Sequence, residues 1–114
     1  MSKRSIKVLL SDILAAINNI TFYVEGYDKQ KFISDRKTID AVVRNLEIIG
    51  EVAKVLPKEF KESYIEIPWD LIKGLRNRII HEYFGVDENI IWEIITNDLQ
   101  VLRFEIEKVI KSVN

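Results

Sequence analysis

Residues 74–87, Gly-Leu-Arg-Asn-Arg-Ile-Ile-His-Glu-Tyr-Phe-Gly-Val-Asp, gather the reactive side chains of this chain. They hold its only His (His81), with Arg76, Arg78 and Tyr83 inside a span of eight residues. An Arg guanidinium can grip a phosphate through two parallel hydrogen bonds. A His exchanges a proton near neutral pH. A Tyr hydroxyl donates, accepts, or takes a covalent modification. Together these are the parts of a site that handles phosphodiesters. The plainer account of the same residues is a His that caps the last carbonyls of a helix and an Arg78–Glu82 surface pair at i,i+4 spacing.

Composition narrows the chemistry. The chain has no Cys and one His, which removes thiolate zinc sites, thiol nucleophiles and a multi-histidine metal centre within one protomer. No cluster of carboxylates invites a divalent cation, so neither a metal nor a cofactor is expected. Seventeen Lys and Arg against eighteen Asp and Glu give a net charge of −1, so a polyanion must be met by a local cluster. Lys73, Arg76 and Arg78 form the candidate, with Arg44 as a weaker member. No run approaches the roughly 18 apolar residues of a membrane span, and Met1-Ser-Lys-Arg-Ser has no signal-peptide core behind it. A cytoplasmic domain without membrane attachment is the expectation.

The elements that must position these residues are helical. The 114 residues suit one domain, and 4 Gly with 2 Pro disfavour a many-stranded sandwich. Apolar residues step by three and four through Leu9, Leu10, Ile13, Leu14, Ile17 and Ile20, and again through Ile39, Val42, Val43, Leu46, Ile49 and Ala53. A third stripe is Trp69, Ile72, Leu75 and Ile79, with Pro68 in the first-turn position and Gly85 just past the end. The last is Ile91, Ile95, Leu99, Leu102, Ile106 and Val109, capped by Asp87. The spacing predicts helices at about 5–24, 35–56, 68–84 and 88–112. Short helical turns are expected at Asp28–Phe32 and Lys58–Glu62. Ser34 or Asp35 caps the second long helix. Residues 1–114 thus form a single all-α, antiparallel four- to five-helix bundle.

With these flanks in place, Arg76-x4-His81-x-Tyr83 resembles the Arg-x4-His-x-Tyr signature of HepT-like toxins in the HEPN superfamily. Residues 41–54 (Ala-Val-Val-Arg-Asn-Leu-Glu-Ile-Ile-Gly-Glu-Val-Ala-Lys), Ile67-Pro-Trp, Tyr83-Phe-Gly-Val-Asp and Trp92-Glu-Ile-Ile agree with that family in the same order. The resemblance covers residues 5–110. It implies a metal-independent RNase toxin in which Arg76 and His81 are catalytic, with Asn77 and Tyr83 in support. It also implies a minimal nucleotidyltransferase antitoxin that silences the toxin by transferring AMP to Tyr83. The alternative is a non-catalytic helical module that holds a nucleotide or the nucleotidyltransferase.

On one straight helix, Asn77 and His81 would share a face about 40° apart, while Arg76 and His81 would diverge by about 140°. His81 would stand in the last turn, where exposed carbonyls favour a protonated ring. Metal-free cleavage through a 2′-hydroxyl wants one group to remove a proton and another to deliver one, and the chain owns a single His. A homodimer with its third helices side by side supplies both. Single-stranded or looped RNA is the expected substrate. Arg44 and Glu47, three apart on the second long helix, read most simply as a surface pair.

Overall fold

A computed structural model of the chain describes residues 5–81 and 85–113, with Ile80 and His81 described by backbone alone. The first stripe forms α1 (Ile6–Tyr23), capped by Ser5, whose hydroxyl accepts the Val8 N–H at 3.2 Å. Its buried positions, Leu9, Leu10, Ile13, Ala16, Ile17 and Ile20, lie on one face against α3 (Arg36–Val55). Among the described helices α1 alone has the length and hydropathy of a membrane crossing, and its apolar face is spent on the core.

Between α1 and α3 the chain turns at Gly26, with φ +78°, and forms α2 (Lys29–Ile33) under an Asp28 cap. Phe32 of α2 is fully buried and lies 5.3 Å, ring centre to ring centre, from Trp92. Asp35, rather than Ser34, caps α3: its carboxylate accepts from the Thr38 N–H (3.1 Å), the Thr38 hydroxyl (2.7 Å) and the Tyr27 hydroxyl (2.6 Å). These bonds hold its carboxyl at about 2, below the ordinary 3.8, the Tyr27 hydroxyl contributing most. Inside the α1–α3 contact the buried amide of Asn45 accepts from Asn19 (3.1 Å) and donates to the Ala41 carbonyl (2.9 Å), so its polar atoms are satisfied.

Pro57 follows the end of α3, and α4 (Lys58–Ser63) turns beneath it. Lys61 Nζ reaches back to the Ala53 carbonyl at 2.8 Å, satisfying one of the carbonyls orphaned at the α3 C-terminus.

The third stripe is buried as its period requires, but it does not make one helix over 68–84. It splits at Gly74 into α5 (Trp69–Lys73) and α6 (Leu75–Ile79), and the helix ends there. Residues Ile80–His81 (β1) then pair antiparallel with Gly85–Val86 (β2), Ile80 opposite Val86 and His81 opposite Gly85. The physical reasons are local. Gly85 takes φ +76°, which glycine adopts without steric cost. The Asp87 N–H meets the Ile79 carbonyl at 2.9 Å, and a ladder replaces the helical bonds that residues 80 and 81 would have made. Gly85 is thus a strand residue, not a helix terminator.

Asp87 then caps α7 (Glu88–Glu93), accepting from Asn89 and Ile90 at 3.1 Å each. The rod continues through a π-helical stretch, Ile94–Asp98, into α8 (Leu99–Ile110). The wider turn buries Ile94 as well as Ile95 and Leu99. The all-α bundle expected from the sequence is what forms, about 42 × 31 × 28 Å in extent.

Candidate functional site

Leu75 and Ile79, both buried, pin α6 to the core and turn Arg76, Asn77 and Arg78 outward. Arg76 faces α3. Its Nε donates to Glu47 Oε2 at 3.3 Å, with the Arg side chain 66% exposed and the Glu side chain 26% exposed. Arg78 leaves the opposite flank and lies 4.0 Å from Asp98 in the π-helical stretch of the C-terminal rod. Lys73 is 3.9 Å from Asp70, one turn back on its own short helix. The three cations therefore do not form one basic patch; each stands beside an acid, and the two arginines point to different neighbours. Arg44 is exposed on α3, and its expected partner Glu47 is engaged with Arg76 instead.

His81 sits in β1, its backbone paired with Gly85. The expectation that it stands in a last helical turn is corrected: the helix ends at Ile79, and His81 lies in the short strand that follows. The projected angles between Arg76, Asn77 and His81 fall away with the straight helix on which they rested. Tyr83 and Glu82 lie outside the described residues. Of the two arguments for a shared site between copies, poor convergence on one helix no longer applies; the single His of the chain still does.

Two features escaped the sequence. One is Glu47 as the partner of Arg76. The other is a groove of about 580 Å³ between α5–α6 and the rod, lined by Leu71, Ile72, Leu75, Leu99, Val101 and Leu102. Leu71 and Val101 are 60% and 63% exposed. Both fall off the core stripes of their helices, and an apolar residue out of phase with its stripe is the signal that marks them. Arg78, Asp98, Glu66 and Glu105 add charged groups to the lining, Arg78 standing beside Asp98. Among the described residues no three His, Cys, Asp or Glu side chains converge as metal ligands would.

Residues 13–109 match the family model described as ribonuclease HepT-like. The chain is 41% identical over 109 residues to a protein of Thermococcus cleftensis named as a probable ribonuclease HepT, an alignment covering 96% of this chain and 99% of that one. It is 38% identical over 107 residues, 94% of this chain and 98% of the other, to a Methanocaldococcus jannaschii protein named a putative RNase. A Caldanaerobacter subterraneus protein bearing the same kind of name is 40% identical over 103 residues, 90% of this chain and 92% of its own. No solved structure matches.

Proposed function

From the premise that this chain belongs to the ribonuclease HepT-like family, we propose that it is an endoribonuclease that cleaves RNA without a metal ion. The observation that carries this reading is Arg76, first residue of the family signature, raised into solvent by a helix whose neighbouring positions are anchored in the core. In the proposed reaction a ribose 2′-hydroxyl attacks the adjacent phosphorus. Arg76 stabilises the charge that develops on the phosphate oxygens, and His81 moves a proton between the 2′-oxygen, the leaving 5′-oxygen and water. The products are a 2′,3′-cyclic phosphate and a 5′-hydroxyl. Asn77, Lys73, Arg78 and Arg44 supply weaker contacts along the RNA.

The working unit is a homodimer, which brings two copies of His81 to one cleft. The groove between α5–α6 and the rod supports this choice of face. Its apolar floor is open, and a two-fold pairing would cover it. The protein is further proposed to be the toxin of a toxin–antitoxin pair. A minimal nucleotidyltransferase would silence it by transferring AMP from ATP to the Tyr83 hydroxyl, with pyrophosphate leaving; the added phosphodiester charge would compete with RNA phosphate.

The test is cleavage of total RNA by purified protein in EDTA, with analysis of the product ends. Cyclic phosphate termini, lost in both Arg76→Ala and His81→Ala, are expected. Activity that needs added magnesium, or that survives either substitution, would overturn the mechanism. RNA binding without cleavage would leave the binding-module reading in its place.

A further inference from the structure

We propose that Glu47 is the positioning residue for Arg76: it tethers the guanidinium through Nε and so aims the free Nη edge at the scissile phosphate. This rests on the nuclease reading above. The geometry is asymmetric. A guanidinium has five N–H donors in one plane, and Glu47 takes the single one on Nε, at 3.3 Å. Among the described residues nothing else bonds Arg76, and its side chain is 66% exposed. The tether is also rigid on one side only. Glu47 belongs to a twenty-residue helix whose neighbours Leu46 and Ile49 are fully buried, and its own side chain is 26% exposed. Arg76 by contrast sits on a five-residue helix at the margin of the fold.

An untethered arginine in solvent samples many rotamers, and ordering it on each encounter costs conformational entropy. Fixed at Nε, its plane is set in advance. The Nη1–Nη2 edge then matches the two non-bridging oxygens of a phosphodiester. The carboxylate also subtracts charge from the site, so it weakens the pull on RNA phosphate while improving the aim. The resulting signature is a split between the two kinetic constants. Removing Glu47 should leave KM unchanged or lower it, while kcat falls about 10–10²-fold, the scale of a misplaced catalytic group. A simple structural defect would not lower KM. Lysine cannot replace Arg76, since an ammonium is a point charge without the fork.

The experiment pairs a spectroscopic readout with a kinetic one on the full chain. The Arg76 Nε–H is followed by ¹⁵N–¹H NMR in the parent, Glu47→Ala and Glu47→Gln, and RNA cleavage is measured on the same samples. An ordered, exchange-protected Nε–H is expected in the parent and in Glu47→Gln, whose amide oxygen still accepts, and a mobile one in Glu47→Ala. The kcat loss should appear in Glu47→Ala and be largely restored in Glu47→Gln. In an Arg76→Lys background Glu47→Ala should add little further loss. An Arg76 Nε–H equally mobile in parent and Glu47→Ala, or equal kcat in the two, would overturn the proposal. A parent with an ordered Nε–H and no cleavage would support the tether and overturn the nuclease reading on which its catalytic role depends.

Discussion

Gly50 sits in the buried face of α3 one turn after Glu47, and a Cβ placed on it would lie 3.2 Å from the Ile72 carbonyl and 3.7 Å from the Lys73 carbonyl. Those oxygens are backbone at the junction of α5 and α6, so they cannot swing aside as a side-chain tip would. Gly50→Ala therefore sets two effects against each other. Alanine in a helix interior is favoured over glycine by about 0.8–1.0 kcal/mol. Overpacking a close contact costs about 1–3 kcal/mol. Since ordinary contact begins near 3.4 Å, α5 must retreat by a few tenths of an ångström, and the packing cost should win by about 1 kcal/mol. That corresponds to a drop in Tm of roughly 4 °C, read by circular dichroism. Gly50→Val should lose more, because branched methyl groups push harder on the same carbonyls. A Gly50→Ala protein that melts higher than the parent would show that α3 and α5 do not approach as closely as described.

Arg76→Ala should cost under about 1 kcal/mol of stability, because the Arg76 side chain is 66% exposed and lies outside the core; cleavage should fall about 10²–10³-fold. A parallel collapse of Tm would assign Arg76 to the fold instead. The Asp35 carboxyl lies at about 2 in the folded chain against an ordinary 3.8. Its hydrogen bonds thus stabilise fully above pH 3.8, and that contribution is lost as pH falls toward 2. Tyr27→Phe should raise this carboxyl and lessen the acid-side loss; an unshifted NMR titration of Asp35 would contradict the assigned cause. Phe32→Ala should cost about 3–5 kcal/mol in urea denaturation. A loss below about 1 kcal/mol would mean that α2 is not part of the core.

The long helices could be read from the sequence because their burial repeats over many turns. The stripe from Leu9 to Ile20 and the stripe from Ile39 to Ala53 each lie on one helical face and fill the same core. The third element misled for the same reason. Trp69, Ile72, Leu75 and Ile79 satisfy the helical period, but they say nothing of the chain beyond Ile79. There the cues were the consecutive β-branched Ile79 and Ile80 with a glycine at 85, a hairpin pattern that competes with the reading of Gly85 as a helix end. The candidate site was legible as residue types and not as geometry. Arg76 and Glu47 are 29 residues apart, and their meeting depends on how closely α5 crosses α3 at Gly50. No local spacing encodes that crossing.

The π-helical stretch at Ile94–Asp98 acts as a phase shifter in the C-terminal rod. Ahead of it α7 packs on α2 and α6; beyond it α8 packs on α1. One extra residue in the turn rotates the two halves by about 100° relative to an unbroken α-helix, which is how a single rod serves neighbours on different bearings. Deleting one residue here, Thr96 for instance, would repair the helical hydrogen bonding and yet leave Leu102, Ile106 and Val109 facing away from α1. A local gain in regularity would then be a global misalignment, so length in this stretch should be held more tightly than the identity of its exposed residues.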